Sequence, residues 1–154
     1  MNERLEYQQL ECYKLANDMQ KEKLNREPYF DLGKLPGKQL QTEFAEYIYY
    51  RGTQVSILTI KAERQHFNSL CEFFKKPSHQ KNSLLDREKD IWIKQLKLWM
   101  MQNGRALTKH KVTSIQTESV EKAALIRYFE NLLEFTLDRS ETNELAKDIW
   151  HLER

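Results

Sequence analysis

Apolar residues in this chain recur mainly at helical spacing. Phe44, Tyr47 and Ile48 stand at i, i+3 and i+4, and Ile60, Phe67, Leu70, Cys71 and Phe74 form a second stripe of the same period. Gly52 follows Arg51 at the end of the first stripe, where a glycine in the left-handed conformation closes a helix. Ser56 or Thr59 can then accept from the free amides that open the next one. The pattern predicts helices over about Lys38 to Arg51 and Ser56 to Lys75, joined by a tight Arg-Gly turn and stopped by Pro77. Taken alone, this is a helical hairpin such as any bundle contains.

Three more helices follow from the same reasoning. One covers about Arg4 to Leu24, with Cys12, Leu15, Ala16 and Met19 as an apolar stripe that lies on the bundle or on a partner. Another covers about Leu84 to Gln102, with Trp92, Leu96, Trp99 and Met100 on one face and Asn103-Gly104 as its stop. The last starts at Thr117 or Ser119, where Glu118 and Glu121 complement the helix dipole, and buries Leu125, Phe129, Leu132 and Leu133. Pro28, Gly33, Pro36 and Gly37 make Asn25 to Gly37 a linker or an ordered loop. Asp148 to Leu152 reads as a final helical turn or as an extended arm, with Trp150 against the bundle or awaiting something else. No alternating run is long enough to predict a sheet. The expected class is all-α, a bundle of about four core helices plus an N-terminal helix.

Composition narrows the function. A chain of 154 residues suits one hydrophobic core, and 40% hydrophobic with 31% charged residues is incompatible with a mainly disordered chain. No apolar run approaches the roughly 20 residues that cross a bilayer. The opening MNERLEYQQLE lacks the apolar centre of a signal peptide, so a cytoplasmic protein is expected. Cys12 and Cys71 have neither CxxC spacing nor a histidine at ligand spacing, and read as small buried hydrophobes in a reducing compartment.

The net charge of +2 hides a strong segregation. Residues 75 to 113 carry 10 Lys and Arg against 3 Asp and Glu, whereas residues 114 to 154 carry 5 against 9. The basic block, with Lys75, Lys76, Lys81, Lys94, Lys97, Arg105, Lys109 and Lys111, is the candidate polyanion surface, or otherwise a solvated face. Catalytic chemistry is poorly represented. The chain has no GxxxxGK[ST] loop, no zinc spacing, no GxSxG elbow and no His-x-x-Arg. His66, His79 and His151 read as structural or solvated, the tyrosines as core or rim packing, and no metal, cofactor or small-molecule substrate is expected.

Residues 44–74, FAEYIYYRGTQVSILTIKAERQHFNSLCEFF, combine a Tyr-Ile pair, Arg-Gly, Val-Ser, Thr-Ile, a basic residue and Phe-x-x-Leu-x-x-Phe-Phe. This pattern resembles the SAM-like core-binding domain of tyrosine recombinases of the phage-integrase family. Residues 117–137, TESVEKAALIRYFENLLEFTL, are similar to the last helix of that domain, and 144–153, ELAKDIWHLE, resemble the stretch leading to the catalytic domain in transposase-type integrases. The resemblance implies three parts: an N-terminal helix and linker over 1–37, a core-binding domain over 38–140, and a connector over 141–154 towards a catalytic domain not in this chain. It also implies a DNA clamp that is not an enzyme by itself, that acts in integration or transposition, and whose protomers associate on duplex DNA. By that resemblance Ser56, Thr59, Lys61 and Arg64 meet DNA from one helix, and Thr117, Ser119, Lys122 and Arg127 from another. Arg105, Lys109 and Lys111 then follow the backbone. Glu63, Glu118 and Glu121 oppose phosphate unless they pair locally or face away, and Arg127 is equally placed to be a structural ion-pair partner. The competing reading is a protein-interaction module that docks a partner on the Trp92/Trp99 helix and the N-terminal helix.

Overall fold

The computed structural model describes residues 3–24, 29–103 and 115–152, the last helix with its side chains from 122 to 145. Among these residues the chain is a predominantly helical bundle, with six α-helices and one two-stranded sheet. The all-α expectation is met, whereas the continuous N-terminal helix expected with it is not.

There, the continuous helix expected over Arg4 to Leu24 does not form. The segment runs as a short strand, β1 (Arg4–Glu6), a 3₁₀ turn over Tyr7–Gln9, and two short helices, α1 (Glu11–Lys14) and α2 (Asp18–Glu22). β1 pairs antiparallel with β2 (Tyr29–Asp31), in a register that sets Leu5 opposite Phe30. Three residues per strand are too few for alternation to be visible in the sequence. Two forces break the expected helix. Asn17 starts α2 afresh through a capping box, its Oδ1 accepting from the Gln20 amide at 2.8 Å while its own amide donates to Gln20 Oε1 at 3.1 Å. The side chains that reach the core are Leu5, Tyr7, Leu10, Cys12 and Leu24, whereas Leu15 and Met19 of the supposed stripe are 88% and 68% exposed.

Gly37, at φ 108°, takes a conformation that L side chains avoid and opens α3 (Lys38–Gln54). Gly52 does not end this helix. α3 continues to Gln54, and Gly52 lies buried beneath Leu10, where a Cβ would stand 3.2 Å from the Leu10 Cβ. The glycine is therefore needed for close approach of the N-terminal segment rather than for a turn. The break falls at Val55 and Ser56, both extended, and Ser56 caps α4 (Ile57–Phe73).

Beyond Pro77 the chain makes two 3₁₀ turns, Pro77–His79 and Leu84–Asp86, before α5 (Lys89–Gln102). α6 (Ile115–Leu152) is one unbroken helix of 38 residues, about 57 Å long at 1.5 Å per residue. It absorbs both the predicted last helix and the segment left open as a turn or an arm. Leu125, Phe129, Leu132 and Leu133 are buried as predicted.

One apolar core runs from Leu5 in β1 to Leu133 in α6, so residues 3–24 and 29–37 pack into the same interior as α3 and α4. Its centre is aromatic. Phe73, Phe74, Trp92 and Phe129 meet edge-on with centroids 5.1–6.3 Å apart, the arrangement that their ring quadrupoles favour. Trp92 Nε1 donates to the Leu84 carbonyl at 2.9 Å, which satisfies the one polar atom of a fully buried indole. No helix among the described residues is long and apolar enough to cross a membrane.

Candidate nucleic-acid interface

Ser56 and Thr59 are exposed at the start of α4, but their hydroxyls are turned to the helix itself. Ser56 Oγ accepts from the Thr59 amide at 3.3 Å and lies 3.2 Å from Thr59 Oγ1. Lys61 and Arg64 stand on the other flank of α4, Lys61 about 160° around the axis from Thr59 at 100° per residue. Each already holds the N-terminal segment. Lys61 Nζ donates to the Lys23 carbonyl at 3.4 Å, and Arg64 Nε donates to the Tyr29 carbonyl in β2 at 2.8 Å. The four α4 residues thus form two separate groups, and the cationic pair has a structural task.

On α6, Lys122 is half-buried and Arg127 is exposed on the side away from the core. Arg127 has no ion pair among the described residues. Thr117 and Ser119 fall in the first turns of α6, with their side chains outside the described residues, as are Arg105, Lys109 and Lys111 altogether. The side chains of Glu118 and Glu121 are likewise outside them.

Glu63, expected to repel phosphate, is neutralised locally: its Oε1 accepts from Arg51 Nε at 2.8 Å across the α3–α4 break. Its other oxygen, Oε2, is buried without a partner, and burial outweighs the arginine to push the carboxyl up from its ordinary value. Burial also drives the Tyr47 hydroxyl up to about 12 and that of Tyr128 well above its usual range. Neither is a phenolate at neutral pH. Tyr7, Tyr47 and Tyr128 are core, and Tyr49 and Tyr50 form a rim in which Tyr50 stacks on Phe135 at 4.9 Å.

The remaining candidate chemistry is structural. His79 is buried with its ring stacked 4.0 Å from Phe73, and its Nδ1 lies 2.8 Å from the Phe73 carbonyl. His66 packs beside Tyr128, and burial lowers the pKa of both imidazoles. Cys12 and Cys71 are free, buried thiols, with Cys71 pushed up to about 12 by desolvation. No group of three or more His, Cys, Asp or Glu among the described residues could hold a metal ion.

The Trp stripe of α5 points inward. Trp92 and Trp99 are core residues, so they offer no anchor to a partner, and the outward face carries Ile91, Lys94, Lys97, Leu98 and Met101 instead.

Sequence reasoning overlooked Glu43. This carboxylate is buried in α3, accepting from Ser83 Oγ at 2.6 Å, the Leu84 amide at 2.9 Å and Gln39 Nε2 at 3.3 Å. A glutamate inside the Leu40, Phe44, Tyr47 stripe was the available signal. Beside it a polar cleft of about 260 Å³ opens between α3 and α6, bordered by Thr42, Glu46, Thr136 and Arg139. The Arg139 Nε to Glu46 Oε2 pair at 2.9 Å spans it.

Comparison with models of protein families, with curated proteins and with solved structures finds no match to this chain.

Proposed function

We propose that the chain binds duplex DNA as the core-binding part of a tyrosine-recombinase-type protein. The observation that carries the reading is the charge segregation along the chain: 10 basic against 3 acidic residues over 75–113, leading directly into the helix that bears Lys122 and Arg127. Arg127 stands exposed on α6, about 18 Å along the axis from Ile115, where the helix that follows the basic segment begins. The contacts come chiefly from Arg105, Lys109, Lys111, Lys122 and Arg127. Ser56 and Thr59 are at most secondary contacts in this reading, and Lys61 and Arg64 serve the fold by holding the N-terminal segment. The setting is a reducing, cytoplasmic one, consistent with two free cysteines.

The test is a salt titration of binding to random duplex DNA. Each neutralised phosphate contributes about −0.9 to the slope of log affinity against log salt, so Arg105→Ala/Lys109→Ala/Lys111→Ala flattens the slope by roughly 2.7 if all three engage. Lys61→Ala/Arg64→Ala is the companion, expected to lower stability while leaving the slope of the folded protein nearly unchanged. A wild-type chain without affinity at low salt, or a triple variant with the wild-type slope, refutes the reading.

A further inference from the structure

The polar cleft between α3 and α6 is lined by three carboxylates, Glu43, Glu46 and Glu144, against one guanidinium, Arg139. Glu43 is buried, and its hydrogen bonds come from a hydroxyl, a backbone amide and a side-chain amide, all neutral donors, so no cation balances it among the described residues. Glu144 is exposed on the α6 side and has no ion pair among the described residues. Glu46 is held by Arg139 in a pair that is about half open to solvent on the arginine side, an arrangement that water screens and that gives way to a competitor. Tyr50 stands four residues after Glu46 on α3, and Phe135 four residues before Arg139 on α6. These two rings stack on each other one turn from the ion pair, and Tyr50 stays 45% exposed.

We infer that this cleft binds an alkylguanidinium group, free or as an arginine side chain. The sign of the ligand follows from the lining, because a cleft with an excess of carboxylates between low-dielectric walls concentrates a negative field and draws in cations. Its size follows from the volume. About 260 Å³ is below the roughly 300–1,000 Å³ of sites for larger ligands, and leaves room for one group the size of a side chain. Guanidinium is favoured over ammonium because the chain itself seats a guanidinium here, on Glu46. A planar fork with five donors also suits a site that offers two accessible carboxylates and the side-chain amide of Asn143. Tyr50 and Phe135 give the alkyl stem an apolar surface to lie on, and an open tyrosine face attracts cations. Arg139 is then an internal competitor, displaced from Glu46 when the ligand enters. The inference does not depend on DNA binding, since none of these residues is among the proposed DNA contacts.

Titration calorimetry at low salt, on the full chain without DNA, tests it with butylguanidinium as the probe and butylurea as its uncharged isostere. Butylguanidinium is expected to bind at millimolar concentration and butylurea not to bind. Glu144→Gln removes one carboxylate and should weaken binding about fivefold, a charge-assisted contact reduced by its exposure. Arg139→Gln frees Glu46 and should tighten binding several-fold, a gain that a damaged fold cannot give. The source of the group is read from a capped Ala-Arg-Ala peptide. Affinity at least equal to that of butylguanidinium assigns the cleft to an arginine of a partner chain, and weaker affinity assigns it to a small free cation. No binding of butylguanidinium, equal binding of butylurea, an unchanged affinity in Glu144→Gln, or a loss of affinity in Arg139→Gln overturns the inference. DNA affinity plays no part in the readout, so failure here leaves the DNA proposal standing and failure of that proposal leaves this one standing.

Discussion

Replacing Glu43 by alanine removes the carboxylate that joins α3 to the turn before α5. In the native protein it accepts from Ser83 Oγ at 2.6 Å and from the Leu84 amide at 2.9 Å, and Leu84 is itself buried. The Ser83 hydroxyl can turn to water, but the Leu84 amide cannot, so the variant bears the desolvation cost of an orphaned N–H, about 1–3 kcal/mol. Adding the loss of one charge-assisted bond brings the expected destabilisation to about 3 kcal/mol. With a urea m-value of about 2 kcal/mol/M, the midpoint should fall by about 1.5 M. Trp92 is a local reporter, because its indole donates to the carbonyl of that same Leu84. Urea unfolding followed by tryptophan emission therefore reads both the global transition and the local packing. Glu43→Gln keeps one acceptor oxygen and should fall between the wild type and alanine. A midpoint shift below about 0.3 M for Glu43→Ala would refute the reasoning, since it would mean that the Leu84 amide finds another acceptor at almost no cost.

Gly52→Ala should destabilise by about 1 kcal/mol despite the better helix propensity of alanine, because its Cβ meets the Leu10 Cβ and Cδ2 at 3.2 and 3.3 Å. Thermal melts should show a smaller loss for Leu10→Ala in the Gly52→Ala background than in the wild type. The histidines His66 and His79 have folded pKa values below 6.5, so the unfolded chain takes protons first and the stability they contribute above that pH is lost as pH falls through the folded values. Glu63 has the opposite sign. Its carboxyl is raised above 4.5, so the stability it contributes below that pH is lost as pH rises through the folded value, and the stability of Glu63→Gln relative to wild type should increase with pH over that window. Denaturant midpoints at a series of pH values check both, and a pH-independent difference for Glu63→Gln counts against the burial of its carboxyl. Lys89→Ala should leave the denaturant midpoint essentially unchanged, because the Lys89–Glu134 pair is exposed on both sides and screened by solvent.

Much of the bundle was legible in the sequence because its helices bury single stripes. α4, α5 and the core of α6 announce themselves through Phe67/Leu70/Cys71/Phe74, Trp92/Leu96/Trp99 and Leu125/Phe129/Leu132, and Ser56 caps where the pattern placed a cap. The N-terminus misled because Cys12, Leu15, Ala16 and Met19 have helical spacing while Asn17 between them caps a new helix, and local capping won over weak periodicity. Gly52 misled for a different reason. A glycine that ends a helix and one that admits a neighbouring side chain look the same in one dimension, and Leu10, 42 positions earlier, decides between them. The tasks of Lys61 and Arg64 were hidden likewise, since the carbonyls of Lys23 and Tyr29 reach them only through tertiary packing. Within the candidate interface, the charge segregation was readable directly, while helix rotation and pairing were not.

The unbroken course of α6 gives this protein a lever. Among the described residues, the last ion pair that ties the helix to the bundle is Arg139 with Glu46, and the backbone stays helical to Leu152, about 20 Å further on. A rod of that length keeps a heading that a flexible tether would lose. Tilting it by about 10° displaces its far end by about 3.5 Å, so slight repacking around Leu132 and Leu133 is magnified in proportion to distance. Whatever the distal turns carry is therefore aimed by the packing of the core.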